Sequence, residues 1–273
     1  VKHVIITADD YAMDAGVDSA VAALGEQGAI SAASAMVLSP SWPEAGQRLA
    51  DCGIDRGLHL DFTSAFAAPF SGSRSLGRLI GAAFLGRLDR SDVRERIERQ
   101  LDQFEAVMKA RPDFVDGHQH VHQLPLVREV LLAALKARYG ALISQIGLRL
   151  CLTQRWRGIK AAVVAATGAR PFARLLRASG HPANTDFAGV YGFSAQADLP
   201  ALWRNWLSGL TGDRPLIMCH VASDSAPAAA PDRIRAARIH EWQWLGSAAF
   251  RDLCTELRIK SQPWGQAGNA NAE

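Results

Sequence analysis

Two adjacent carboxylates, Asp9 and Asp10, close an apolar run that begins at Val4, and five of the eight histidines (His59, His118, His120, His122 and His220) stand where other apolar runs give way to polar residues. One carboxylate and two imidazoles on a divalent cation leave coordination positions open for water and substrate, which is the arrangement a hydrolytic metal site needs. A bound cation would also keep two neighbouring carboxylates ionised together. Adjacent residues of an extended chain point to opposite faces, so Asp9 and Asp10 share a site only if the strand is already turning there. Otherwise one of them starts a helix. His118, His120 and His122 recur at period two: extended, they share a face; turning, only one or two reach a common mouth. Spacing alone does not choose among them. Each residue taken singly has a bland reading, a hydrogen-bonded core histidine or a capping aspartate.

Parallel α/β architecture would bring these residues together, because its catalytic groups gather at the carboxyl ends of the strands. His3–Ala8 reads as a buried strand, Ala15–Gln27 as a helix stopped by Gly28, Ile30–Leu38 as a strand, Trp42–Ala50 as a helix and Gly57–Phe62 as a strand. The alternation resumes with a helix over Ser91–Ala110, a strand over Phe114–Asp116, a helix over Leu126–Arg138 and strands over Ile146–Leu150, Pro215–His220 and Leu257–Ile259. About seven strands in one alternation, with no glycine-rich phosphate loop after the first, predict a distorted or incomplete (β/α) TIM-type barrel rather than a doubly wound sheet. The expectation is one domain over residues 1–273, interrupted at 64–90 by an apolar insertion that reads as a packing helix, a lid or a homodimer contact.

With 273 residues, 48% hydrophobic and 21% charged, the composition excludes a disordered, collagenous or disulfide-stapled chain. A net charge of +3 gives no argument for nucleic acid. Cys52, Cys151, Cys219 and Cys254 form no C-x-x-C pair. No run of 18 uncharged apolar residues and no leader-like opening is present, which predicts a cytoplasmic protein, and Val1 implies that an initiator Met is missing. Residues 130–185 contain no Asp or Glu but nine Lys and Arg, a solvated basic face or one that steers an anionic substrate or rests on an anionic membrane surface. Serine-hydrolase, P-loop, zincin and dinucleotide motifs are absent. Metal-assisted hydrolysis remains.

The chain resembles the YdjC-like carbohydrate deacetylases, a family that includes chitooligosaccharide deacetylases and hopanoid-associated members. The resemblance rests on Thr7-Ala8-Asp9-Asp10-Tyr11, Ile30–Val37, Gly57-Leu58-His59-Leu60, Asp116–His122 and Met218-Cys219-His220, in family order. It implies a distorted (β/α) barrel that removes the acetyl group from an N-acetylated sugar, with one divalent ion, Mg²⁺ or Zn²⁺, held by Asp10, His59 and His118. Asp9 is then the general base and His220 the general acid. Tyr11, where Phe is commoner, brings a hydroxyl that could reach substrate. Arg149, at a predicted strand end, is a candidate for orienting a substrate carboxylate or hydroxyl, with an ion pair as its alternative; His122, like His120, would contact substrate or support those that do. Val221 stands where many relatives have Pro, which changes the loop beyond His220. A metal-dependent phosphoesterase and a glycan-binding protein without turnover are the competing readings, and the motifs accept a soluble oligosaccharide or a lipid-linked sugar alike.

Overall fold

The computed structural model describes residues 1–68, 75–225 and 232–266. From β1 (Lys2–Tyr11) the chain alternates helix and strand: α1 (Ala15–Glu26), β2 (Ala32–Ala35), α2 (Trp42–Ala50) and β3 (Asp55–Leu60). Helices α3 (Leu76–Phe84) and α4 (Arg90–Met108) precede β4 (Phe114–Gly117), α5 (Val127–Tyr139) and β5 (Gly147–Leu148). Then follow α6 (Ile159–Ala166), α7 (Ala169–Ser179), β6 (Asp186–Ala188), α8 (Leu199–Gly209), β7 (Pro215–Cys219), α9 (Arg235–Leu245), α10 (Ala248–Glu256) and β8 (Ile259–Ser261).

The sheet runs β5-β4-β3-β2-β1-β7-β6, all parallel, and β8 pairs with the first residues of β1. It curls into an incomplete (β/α) barrel, as the alternation predicts. Among the described residues, a parallel bridge from Leu148 of β5 to Ala183, just before β6, links its two ends. Beyond that bridge a side chain takes over the strand's role: Asn184 Oδ1 accepts from the Leu150 backbone N–H at 2.7 Å, and Nδ2 donates to the Leu150 carbonyl at 2.9 Å. This is why the strand expected over Ile146–Leu150 shrinks to two residues. The last strand also shifts, from Leu257–Ile259 to Ile259–Ser261, because Leu257 still bonds back to the Leu253 carbonyl at the end of α10. β6 carries no apolar run to announce it, with only three residues between polar Asn184-Thr185 and Gly189.

Helices bury one stripe each against this sheet. On α1, capped by the Asp14 carboxylate, Val17, Ala20, Val21 and Leu24 are buried; on α4, Val93, Ile97, Leu101 and Phe104 recur at helical spacing. Each such Leu, Ile or Phe contributes roughly 1.5–3 kcal/mol on burial. Within the insertion, Leu79 and Ala83 of α3 pack inward while Phe84 and Leu85 stay exposed; residues 69–74 lie outside the described chain.

Candidate metal centre

The carboxyl end of β1 breaks its own alternation. Asp10 adopts a left-handed backbone (φ 66°), Ala12 does the same (φ 68°), and the register with β2 slips between Ala8 and Tyr11. Asp tolerates this region better than most residues, and the bulge turns two successive carboxylates toward one cavity instead of opposite faces. After β4 the chain turns as sharply. His118–Gln123 forms a 3-10 turn in which Gln119 (φ 53°) and His120 (φ 60°) are left-handed, so the three histidines do not share an extended face.

Asp10, His59 and His118 converge. Asp10 Oδ1 lies 3.2 Å from His59 Nε2 and 2.8 Å from His118 Nδ1, and the donor atoms of all three lie within 4.8 Å of one another. His59 Nδ1 donates to Asp116 Oδ1 at 2.6 Å and lies 3.0 Å from the Ser34 hydroxyl. A carboxylate behind an imidazole fixes its ring and leaves the other nitrogen for an ion. Asp9, His59 and Asp116 make a second trio of the same tightness. That trio is filled by a guanidinium: Arg149 Nη2 lies 2.6 Å from Asp9 Oδ1 and 2.6 Å from Asp116 Oδ2. The donor set of Asp10, His59 and His118 therefore fits a divalent cation, and the other does not.

Electrostatics follow from these pairings. Burial alone would raise the Asp9 carboxyl, but the Arg149 charge overrides it and holds Asp9 below the usual carboxylate range. Asp10 is likewise held well down, against burial, by Arg238 and His118. Burial would favour neutral His59, yet Asp116 and Asp10 raise it to about 10. His220, 4.0 Å from Asp10 Oδ2, is pushed down to about 4 by burial and then by Arg238. Its ring packs edge-on against Phe193. Its backbone N–H donates to Glu241 Oε2 at 3.2 Å, whose other oxygen accepts from the Tyr191 hydroxyl at 2.8 Å. Burial raises Glu241 to about 8.

A cavity of about 690 Å³ opens over this floor, and Asp9, Asp10, His59, His118, His120 and His220 all line it. Its walls are mostly apolar, with Met13, Met36, Phe66, Val163, Val164 and Phe193 among them. Three residues expected at the substrate are elsewhere. Tyr11 turns its hydroxyl inward to the Ala45 carbonyl at 2.8 Å. His122 is fully buried, its Nε2 donating to the Arg149 carbonyl at 2.9 Å, because the 3-10 turn carries it away from the mouth. Arg149 is itself fully buried and spends its guanidinium on Asp9 and Asp116. The ion-pair alternative is the one the structure adopts. His120 does reach the cavity, with Nδ1 3.5 Å from Cys151 Sγ.

The YdjC-like protein family model matches residues 3–256. The chain belongs to the YdjC-like family. It is 30% identical over 158 residues to a human carbohydrate deacetylase, a match covering 54% of this chain and 49% of that protein. It is 28% identical over 141 residues to a chitooligosaccharide deacetylase of Yersinia pestis, covering 48% and 55%. The matched segment spans about half the length of these curated relatives. Among solved structures, a candidate cellobiose-phosphate cleavage protein from Enterococcus faecalis superposes with a TM-score of 0.73 at 20% identity over 96% of this chain and 97% of that one. A peptidoglycan N-acetylglucosamine deacetylase gives 0.50 at 12% identity over 99% and 90%. At these identities the structural likeness shows the fold. Among the described residues no helix is long and apolar enough to cross a membrane.

The sequence motifs give no separate role to Ser34, Asp116, Arg238 or Glu241. Arg238 and Glu241 carry a legible signal: they share the buried stripe of α9 with Ala237 and Leu245, where charge is out of place unless paired.

Proposed function

We propose that this YdjC-like protein is a metal-dependent hydrolase that removes the N-acetyl group from an acetylated amino sugar. The observation that carries the reading is the meeting of Asp10, His59 and His118 on the floor of an open cavity, with Asp9 and His220 lining the same floor. The carbohydrate and chitooligosaccharide deacetylase relatives support the substrate class.

A divalent ion held by Asp10, His59 and His118 would polarise the amide carbonyl and make water acidic enough to attack near neutral pH. Asp9, kept ionised by Arg149, accepts a proton from the attacking water as the new C–O bond forms. His220 starts neutral. As negative charge builds on the tetrahedral intermediate, His220 takes up a proton from solvent and gives it to the sugar nitrogen as the C–N bond breaks. Acetate and free amine leave, His220 is neutral again, and Asp9 releases the proton it took from water to solvent. Glu241, holding the His220 backbone, and Phe193, against its ring, keep that imidazole aimed at the cavity.

The test is acetate release from a panel of N-acetylated sugars, before and after chelation, with phosphate release from sugar phosphates followed in parallel. The panel includes lipid-linked sugars, because Ile159 and Val163 of α6, the helix that walls the cavity, stay exposed. Acetate release lost with the ion and restored by it is the expected result. Phosphate without acetate would make the protein a phosphoesterase, and saturable sugar binding with neither product would make it a binding protein.

A further inference from the structure

The Asp10 carboxylate is divided between two kinds of partner. Oδ1 faces His118 Nδ1 at 2.8 Å and His59 Nε2 at 3.2 Å, while Oδ2 accepts from Arg238 Nη2 at 2.6 Å. Arg238 sits in the first turn of α9, 228 residues away along the chain. It is 2% exposed and is anchored in turn, Nε donating to Asp232 Oδ2 at 2.8 Å. Because a guanidinium is a rigid planar fork, fixing Nε fixes where Nη2 stands.

We propose that Arg238 is a positioning residue that makes Asp10 a one-oxygen metal ligand. With Oδ2 held by the guanidinium, Oδ1 alone is left for an ion, and the carboxylate cannot rotate to offer both oxygens. A two-oxygen carboxylate would fill one more coordination position, and open positions are what a hydrolytic site requires for water and substrate. The guanidinium charge also stands close to any cation in the site and opposes its binding, so Arg238 weakens the hold on the ion while keeping the site open. The inference rests on the reading of Asp10, His59 and His118 as the ion-holding set.

The experiment measures Zn²⁺ affinity by chelator competition and records the visible absorption of the Co²⁺-loaded protein, whose intensity reports coordination number. Arg238→Met is expected to bind Zn²⁺ about tenfold more tightly, the direction set by removing a like charge a few ångströms from the ion, and to weaken the Co²⁺ bands as Oδ2 joins the coordination. Arg238→Lys keeps the charge without the fork and should stay near wild-type affinity. Asp232→Asn loosens the anchor and leaves Arg238 in place, so it tests the spectral change should Arg238→Met fail to fold. Unchanged Zn²⁺ affinity and Co²⁺ absorption in folded Arg238→Met or Asp232→Asn, with only the apoprotein melting temperature lowered, would reduce Arg238 to a structural strut and overturn the proposal alone. A wild-type chain that binds neither ion would overturn the metal reading beneath it.

Discussion

Arg149, itself fully buried, grips both oxygens of Asp9, Nη1 on Oδ2 and Nη2 on Oδ1 at 2.6 Å each, across 140 residues of chain. The same guanidinium reaches Asp116, which orients His59. One buried cation thus holds the proposed base and the carboxylate behind a proposed ligand. Arg149→Met leaves two buried carboxylates without their cation, and removing one partner of such a group costs about 3–5 kcal/mol. Urea denaturation of the metal-free protein should show a loss of that size, with Arg149→Lys losing less because it keeps the charge but not the two-pronged contact. A midpoint unmoved in the Met variant would contradict this account of the pair.

Asp9→Asn preserves the shape of the carboxylate and removes its ability to take a proton. Metal content is expected to match wild type while acetate release falls about 10²–10⁴-fold, the usual worth of a general base. His59→Ala should do the opposite, losing the ion itself, as elemental mass spectrometry of the purified variant would record. Wild-type turnover in Asp9→Asn would remove Asp9 from the mechanism.

His122 sets an acid limit on stability. Burial pushes it down to about 3, well below the 6.5 of a free histidine. Between these values the unfolded chain binds a proton that the folded chain refuses, so the stability present above pH 6.5 is lost as pH falls toward 3, at up to about 1.4 kcal/mol per pH unit. His220, pushed to about 4, adds to the same limb. Thermal melts from pH 7.5 to 4.5 should show it, and His122→Asn should flatten the slope whatever it does to the starting stability. An identical slope in that variant would show that His122 is not the group responsible.

Gly189 ties the end of β6 to the cavity wall. Its backbone is left-handed (φ 106°), and a Cβ there would run into the carbonyl oxygen of Met218, a residue that lines the cavity. Gly189→Ala combines strain with overpacking, and each costs about 1–3 kcal/mol. A fall in melting temperature is expected, and an unshifted melt would show that the strand end yields more readily than the packing implies.

The linear sequence by itself determined the parallel α/β alternation, because buried strands and amphipathic helices are written as local apolar periodicity. It also marked Asp9, Asp10, His59, the run of His118, His120 and His122, and His220, since polar residues that end apolar runs in such a fold fall on one rim. Which of those atoms meet was decided only in three dimensions. The left-handed turns at Asp10, Gln119 and His120 aim both aspartates at the cavity and carry His122 into the core, and nothing in a period-two pattern announces a reversal of φ. Arg149 and Arg238 became partners of Asp9 and Asp10 through contacts spanning 140 and 228 residues. Ion pairs of that reach depend on where the folded backbone places each charge, and local spacing holds no record of it.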